Sequence, residues 1–262
     1  MNGIIGAICG DIIGSSHEFH PIKTKEFKLV NKYSTYTDDT VLTLAVASWL
    51  TNDESYSTQS LVRKVQKFAS YYPNAGYGGR FREWIVQRNP RPYNSWGNGS
   101  AMRVSPAAWV CDTLEDTQML AKRSAQITHN HPEGIKGAMA TASAIFLARN
   151  SKSKDYIREY IESTFQYNLT RRLEDIRPDY RFEVSCQKSV PESIICFLEA
   201  DSYTDTIRNA VSLGGDADTM GAISGAIAAA YYDVPTDLVD ECKNRLDNNL
   251  LTVYEEFVEK FF

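Results

Sequence analysis

The sequence predicts a nearly all-α protein whose residues 1–262 form a single domain of about a dozen helices. Helical periodicity recurs along the chain, whereas no stretch alternates convincingly with the period of two that is typical of strands. Residues 181–184 are the one passable strand candidate. No repeat of fixed length is visible, and no linker rich in Gly, Ser or Pro divides the chain.

In the first half, the helix predicted over residues 3–15 carries small residues at helical spacing. Because glycine costs ~1 kcal/mol per position in a helix, close contact with another helix is the expected compensation. Thr37 is a good N-cap for an apolar helix over residues 38–51. The further helices predicted in this half are 58–72, 77–86, 102–111 and 114–126.

In the second half, Pro132 suits the first position of a helix over residues 132–149. The helix over residues 220–232 has no polar face, so we expect it to be deeply buried. The other helices predicted are 155–165, 191–199, 204–213, 235–245 and 246–262. Residues 166–188 mix charged and aromatic side chains and receive no assignment.

Composition argues against several classes of protein. The net charge of -5 argues against a dedicated nucleic-acid binder. The apolar helix near the C-terminus is shorter than the ~20 residues that span a bilayer, and Asp11 interrupts the apolar run at the N-terminus. The five scattered cysteines indicate free thiols in a reducing compartment. We therefore expect a cytoplasmic protein without a membrane partner, and a monomer.

Two apolar helices begin with closely spaced acids. Carboxylates rarely enter a protein interior unless they are paired or bind a metal. Oxygen ligands of this kind suit Mg²⁺, Mn²⁺ or Ca²⁺ better than Zn²⁺. The alternative is that the acids only cap their helices. We expect the two helix starts to meet and to hold metal ions; their residues are Thr37, Asp38, Asp39, Asp216, Asp218 and Thr219.

Three further features are candidates for a site. Glu18 follows the 3–15 helix and is either a pocket-edge residue or a solvated surface glutamate. The four histidines form two close pairs, which fit polar loop residues that bind a ligand better than a zinc site. The loop 97–100 leads into a helix that contains Arg103, and its N–H groups suit a phosphate, although a plain turn is the alternative.

Six blocks of the sequence, in order, resemble the ADP-ribosylglycohydrolases. This family includes the dinitrogenase reductase-activating glycohydrolase and the hydrolases that remove ADP-ribose from arginine or serine. The TDDT and GGDADT blocks are together highly specific. The resemblance implies an orthogonal helical bundle with a central cleft that contains two Mg²⁺ or Mn²⁺ ions. The blocks are residues 6–19, 36–46, 74–84, 97–109, 128–138 and 214–232.

The resemblance also assigns residues. The family's metal ligands fall on the two acidic helix starts named above, where all six positions keep the expected residue type. Glu18 corresponds to a gating glutamate implicated in catalysis, with the metal-bound Asp39 and Asp216 as further catalytic candidates. The positions that match substrate-binding residues are Gly97, Asn98, Gly99, Ser100, Met102 and His129, with Tyr77 for a wall of the cleft.

The activity implied is metal-dependent hydrolysis at C1″ of an ADP-ribosylated protein side chain or a small ADP-ribose derivative, with release of ADP-ribose. Three alternatives stay open at this point: a non-catalytic ADP-ribose-binding protein, a metal-dependent hydrolase of another phosphorylated small molecule, and a structural helical protein. The intact ligand set argues against the loss of activity proposed for some relatives. At 262 residues the chain looks short for the family, so its substrate stays open.

Overall fold

The computed structural model describes residues 3–262, which form fifteen α-helices and no strand. The predicted all-α class is therefore confirmed. The helices are α1 Ile5–Ser15, α2 Asp38–Asn52, α3 Thr58–Tyr71, α4 Gly79–Ile85, α5 Gly99–Met102, α6 Ala107–Val110, α7 Leu114–Gln126, α8 Pro132–Arg149, α9 Lys154–Phe165, α10 Leu173–Ile176, α11 Cys186–Leu198, α12 Tyr203–Ser212, α13 Ala217–Tyr231, α14 Thr236–Lys243 and α15 Asn248–Phe261.

Helix α13 lies at the centre of the molecule. Its residues 217–229 are all buried, and it packs against α1, α8, α11 and α12. A helix surrounded in this way needs apolar or small residues on every face, which is the pattern that its sequence shows. The prediction that this helix is deeply buried is confirmed.

The contact between α1 and α13 is made backbone to backbone. A Cβ atom at Gly10 would lie 2.0 Å from the carbonyl oxygen of Gly221, and one at Gly14 would lie 2.1 Å from that of Ala217. No side chain fits at these α1 positions because the obstacle is main chain. The close contact expected from the small residues of the first helix is therefore confirmed.

Three local predictions were wrong. The helix expected over 102–111 is interrupted, because α5 ends at Met102 and α6 starts only after Pro106, which has no N–H to donate. Conversely, Pro191 lies inside α11, which begins at Cys186 rather than at the proline. The strand candidate 181–184 is not a strand; next to it Ser185 forms an isolated bridge with Gly97.

The arrangement brings three helix ends together. The C-terminal end of α1 and the N-terminal ends of α2 and α13 lie side by side, and α5 packs against both α8 and α13. Over residues 3–262, each helix is too short or too polar to cross a membrane.

Candidate metal centre and substrate cleft

The two acidic helix starts meet in the structure. The hydroxyl of Thr219 donates to Asp39 Oδ2 at 3.3 Å, across 180 positions of sequence. The hydroxyl of Thr37 donates to the same Asp39 oxygen, also at 3.3 Å. The expectation that α2 and α13 bring their acidic first turns together is confirmed.

The carboxylates form two groups that share one member. Asp11, Asp39 and Asp218 each offer an oxygen within 4.8 Å of the others, and so do Glu18, Asp216 and Asp218. Asp218 therefore belongs to both. Neither group contains Asp38, although its side chain lines the same cleft.

Asp11 belongs to the site although it was not among the residues predicted from the sequence. It extends from α1 to the first turn of α2, where Oδ2 accepts from Thr37 N at 2.9 Å and from Thr40 N at 3.0 Å. Its Oδ1 accepts from the Thr37 hydroxyl at 2.8 Å. Asp11 thus caps a neighbouring helix while it faces the acids. The available signal was a lone carboxylate in an otherwise apolar, glycine-rich helix.

Without bound cations, several acids of the site have pKa values above their ordinary range. Burial, followed by the charge of Asp218, raises the pKa of Asp11 to about 7 and those of Glu18 and Asp38 to about 8. Burial raises the pKa of Asp39 well above its ordinary value, again with Asp218 as the second cause. Bound cations would remove this penalty.

The donor set fits hard divalent cations. The two groups consist entirely of carboxylates, the ligands that Mg²⁺ and Mn²⁺ prefer. In addition, Asp39 Oδ1 is buried and has no hydrogen-bond partner among residues 3–262. A buried carboxylate oxygen without a hydrogen-bond partner destabilises the fold unless a bound ligand or cation interacts with it. The residues present therefore fit the metal ions that the resemblance implies.

We expect Mg²⁺ to stabilise the protein more as the pH rises. Acids with raised pKa values stabilise the fold fully only below their unfolded pKa, near 4, and this stabilisation is lost as the pH rises through about 7 to 8. A bound cation offsets the loss. Thermal melts should show that saturating Mg²⁺ raises Tm by about 5 °C at pH 8 and by much less at pH 5. NaCl at equal ionic strength is the control; a shift equal at both pH values contradicts the expectation.

A cleft of about 450 Å³ opens above the acids. Six of the predicted residues line its acidic side: Glu18, Asp38, Asp39, Asp216, Asp218 and Thr219. Five more line the rest of the wall: Gly97, Asn98, Gly99, Met102 and His129. The pocket-edge interpretation of Glu18 agrees with its half-buried position in this lining.

Three predicted residues do not line the cleft. Thr37 lies behind Asp39 and bonds to Asp11. Ser100 is buried and donates to the Gly134 carbonyl at 2.7 Å. Tyr77 is only 2% exposed, and its ring packs at 5.3 Å from that of Phe81. The prediction that Tyr77 forms a wall is corrected, because Phe81 and the glycines on either side of Tyr77 provide that wall.

The histidines that are close in sequence do not form one common site. His129 lines the cleft, whereas His131 caps α8 by accepting from Glu133 N at 3.1 Å. His17 packs edge-on against Phe27, with ring centroids 5.0 Å apart. No histidine belongs to either acidic group in the described part of the chain. The histidines therefore give no support to the zinc alternative.

Comparisons with known proteins decide the family. The family model described as ADP-ribosylglycohydrolase matches residues 1–261. The chain belongs to the ADP-ribosylglycohydrolase family. The resemblance seen in the sequence blocks is thereby confirmed.

Relatives and a solved structure cover nearly the whole chain. The ADP-ribosylhydrolase ARH3 of Homo sapiens is 25% identical, covering 95% of this chain and 90% of its own length. The ADP-ribosyl-[dinitrogen reductase] glycohydrolase of Rhodospirillum rubrum is also 25% identical, with 95% and 92% covered. A solved structure titled ADP-ribosylglycohydrolase-related protein complex matches with a TM-score of 0.76 at 20% identity, covering 99% of this chain and 96% of its own. This last likeness shows the shared all-α fold.

The alignment with human ARH3 spans 328 positions, more than the 262 residues of this family member. The human protein therefore carries insertions that this chain lacks. The alignment with the Rhodospirillum rubrum protein spans 281 positions, so the difference in length is smaller. Compared with the human relative, the chain is short, as expected.

Residues 166–188 supply part of the cleft rim. Phe182 and Val184 line the cleft, and the ring of Phe182 stacks at 6.4 Å on that of Phe19 beside Glu18. The main chain of this segment also holds the loop at 97–100, since Asn98 N donates to the Val184 carbonyl at 2.7 Å. The mixed composition of this segment carries no signal from which such a role could be predicted.

Proposed function

We propose that this family member hydrolyses the glycosidic bond at C1″ of an ADP-ribose conjugate, with two Mg²⁺ or Mn²⁺ ions held by the acidic residues. The observation that carries the proposal is the pair of carboxylate groups that share Asp218 on one side of a 450 Å³ cleft. The family match supports the same reaction.

The acidic groups would hold the ions. The proposed ligand set is Thr37, Asp38, Asp39, Asp216, Asp218 and Thr219, to which the structure adds Asp11 as a candidate. When bound, the ions supply Lewis-acid polarisation of ribose hydroxyls and of the attacking water. Asn98 Nδ2 donates to Asp216 Oδ2 at 2.7 Å and thereby fixes one ligand oxygen.

Glu18 is the proposed proton-transfer group. Burial and the neighbouring acids raise its pKa to about 8, so its carboxyl holds a proton near neutral pH in the absence of cations. In the reaction, the bond between C1″ and the leaving heteroatom breaks, and a water oxygen bonds to C1″. The proton lost by the water passes to the leaving group. Glu18, or an aspartate of the site such as Asp39 or Asp216, can carry it.

The opposite wall would bind the rest of ADP-ribose. The proposed diphosphate- and ribose-binding loop comprises Gly97, Asn98, Gly99 and Met102, with Ser100 supporting it from behind. His129 adds an imidazole ring at the end of this wall. The buried guanidinium of Arg103 lies beside the same wall and favours negative charge there.

The leaving group is a protein side chain or a small molecule. The rim next to Glu18 is the stacked pair Phe19 and Phe182, which are 74% and 52% exposed.

The five cysteines are all free, which supports a reducing compartment such as the cytoplasm. The monomeric state stays a prediction.

ADP-ribose release tests the proposal. Arginine- and serine-linked ADP-ribosyl peptides and O-acetyl-ADP-ribose are each incubated with the protein and Mg²⁺ or Mn²⁺, and the products are separated by chromatography. We expect release from at least one substrate, loss of release in EDTA, and recovery when metal is restored. If none of the three substrates releases ADP-ribose with either metal, the proposal is wrong.

A further inference from the structure

Arg103 is a buried cation without a carboxylate partner. Its side chain is 1% exposed, and no ion pair with it occurs among residues 3–262. Instead, Nη2 donates to the Ser124 carbonyl at 3.1 Å and to the Thr128 hydroxyl at 2.8 Å. Burial of an arginine without a counter-ion costs folding free energy. The residues that bond to Arg103 therefore indicate its role.

The Thr128 hydroxyl connects Arg103 to His129. Its oxygen lies 2.7 Å from His129 Nδ1. Because a guanidinium only donates, this oxygen must accept from Arg103, and its own proton is free to point at Nδ1. If Nδ1 carried a hydrogen, the fully buried Thr128 proton would have no acceptor among residues 3–262, which is costly. The bonding pattern therefore favours Nδ1 as the acceptor.

We infer that Arg103 and Thr128 are positioning residues that hold His129 as the neutral tautomer with its hydrogen on Nε2, directed into the cleft as a donor to an oxygen of the ADP-ribosyl substrate. The substrate part of this inference rests on the proposed function. The assignment of the tautomer depends only on the hydrogen bonds around His129.

The direction of Nε2 agrees with this role. A Cβ atom at Gly99 would lie 3.3 Å from His129 Nε2, and one at Gly97 would lie 3.6 Å from it. The nitrogen thus faces the loop proposed to bind the diphosphate. Burial, with the charge of Arg103 as a second cause, holds the pKa of His129 well below its ordinary value, so the ring stays neutral at pH 7. A neutral ring that accepts at Nδ1 can only donate at Nε2.

Nitrogen NMR of the free protein tests the tautomer directly. The chain has only four histidines, so a sample with ¹⁵N-labelled imidazoles is simple to assign from single His→Asn variants. We expect the Nδ1 signal of His129 at the position of an unprotonated nitrogen and the Nε2 signal at that of a protonated one, at pH 7. The opposite pattern, or a doubly protonated ring, overturns the inference.

Thr128→Val tests the connection between the residues. This change keeps the shape but removes the hydroxyl, and it should allow the Nδ1–H tautomer to appear. Binding of ADP-ribose, measured by calorimetry with Mg²⁺, should weaken about tenfold. Thr128→Ser should restore both the tautomer and the affinity. Thr141→Val is the matched control, because the Thr141 hydroxyl is equally buried but has no hydrogen-bond partner in the described part of the chain.

The two readouts separate this inference from the proposed function. If wild-type His129 shows the Nε2–H tautomer but no ADP-ribosyl bond is cleaved, the tautomer assignment stands and the proposed reaction fails. If Thr128→Val changes neither the tautomer nor the affinity, the positioning role is wrong even when hydrolysis is observed. If Thr128→Val does not fold, as judged by circular dichroism, the wild-type spectrum and the Thr128→Ser variant still decide the tautomer.

Discussion

Asp218→Asn is expected to lower the rate of metal-dependent ADP-ribose release by about a thousandfold, which corresponds to ~4 kcal/mol of transition-state stabilisation. Asp218 is the residue shared by both carboxylate groups, so one substitution removes a charged oxygen from each. It is also buried in the first turn of α13, where its Oδ1 accepts from Thr219 N at 2.9 Å. The initial rate at saturating Mg²⁺ is the measurement.

The same substitution separates catalysis from folding. Because the Asp218 charge contributes to the raised pKa values of Asp11, Glu18 and Asp38, its removal should increase stability in EDTA while reducing the Mg²⁺-induced rise in Tm. Asp237→Asn, on the exposed surface of α14, is the matched control and should change neither quantity. An Asp218→Asn protein that retains more than about a tenth of the wild-type rate would contradict the shared role.

Gly10→Ala is expected to destabilise the protein by about 3 kcal/mol or more. The new Cβ would lie 2.0 Å from the oxygen and 2.4 Å from the carbon of the Gly221 carbonyl. Both obstacles are backbone, so relief requires that α1 and α13 move apart as whole helices. Urea unfolding at equilibrium measures the change in the free energy of unfolding.

Gly78→Ala provides the control for this experiment. Gly78 has a φ of -60°, which alanine adopts readily, and no atom of residues 3–262 beyond its chain neighbours lies within 4 Å of its added Cβ. We expect a change within about 0.5 kcal/mol there. If Gly10→Ala costs less than about 1 kcal/mol, the contact is looser than the structure shows.

The parts of the site that could be predicted from the sequence are those with a local signal. Two helices start with closely spaced acids: one with Thr37 and the two aspartates after it, the other with Asp216 and Asp218. Both helices are so apolar that they are expected to be buried, and this predicts a buried acidic site. The small residues of the first helix likewise indicated a close contact with another helix, which is α13 in the structure.

The parts that could not be predicted depend on contacts between distant residues. Asp11 bonds to the first turn of α2, which lies 26 to 29 positions further along the chain. The residues next to Asp11 in the sequence carry no signal for this contact. Tyr77 sits among glycines that do line the cleft, but composition does not tell which way its ring points. Thr128 joins Arg103 to His129 only because α5 and α7 place them side by side.

Residues 166–188 and the loop at 97–100 are joined through main-chain atoms, so the junction does not depend on the side chains of the cleft rim. Asn98 N bonds to the Val184 carbonyl, and Cys186 N bonds to the Trp96 carbonyl at 3.0 Å. Neither bond uses an atom of the side chains at 182 and 184. The side chains at 182 and 184 can therefore be exchanged without removal of either bond, which leaves the loop proposed to bind ADP-ribose in place.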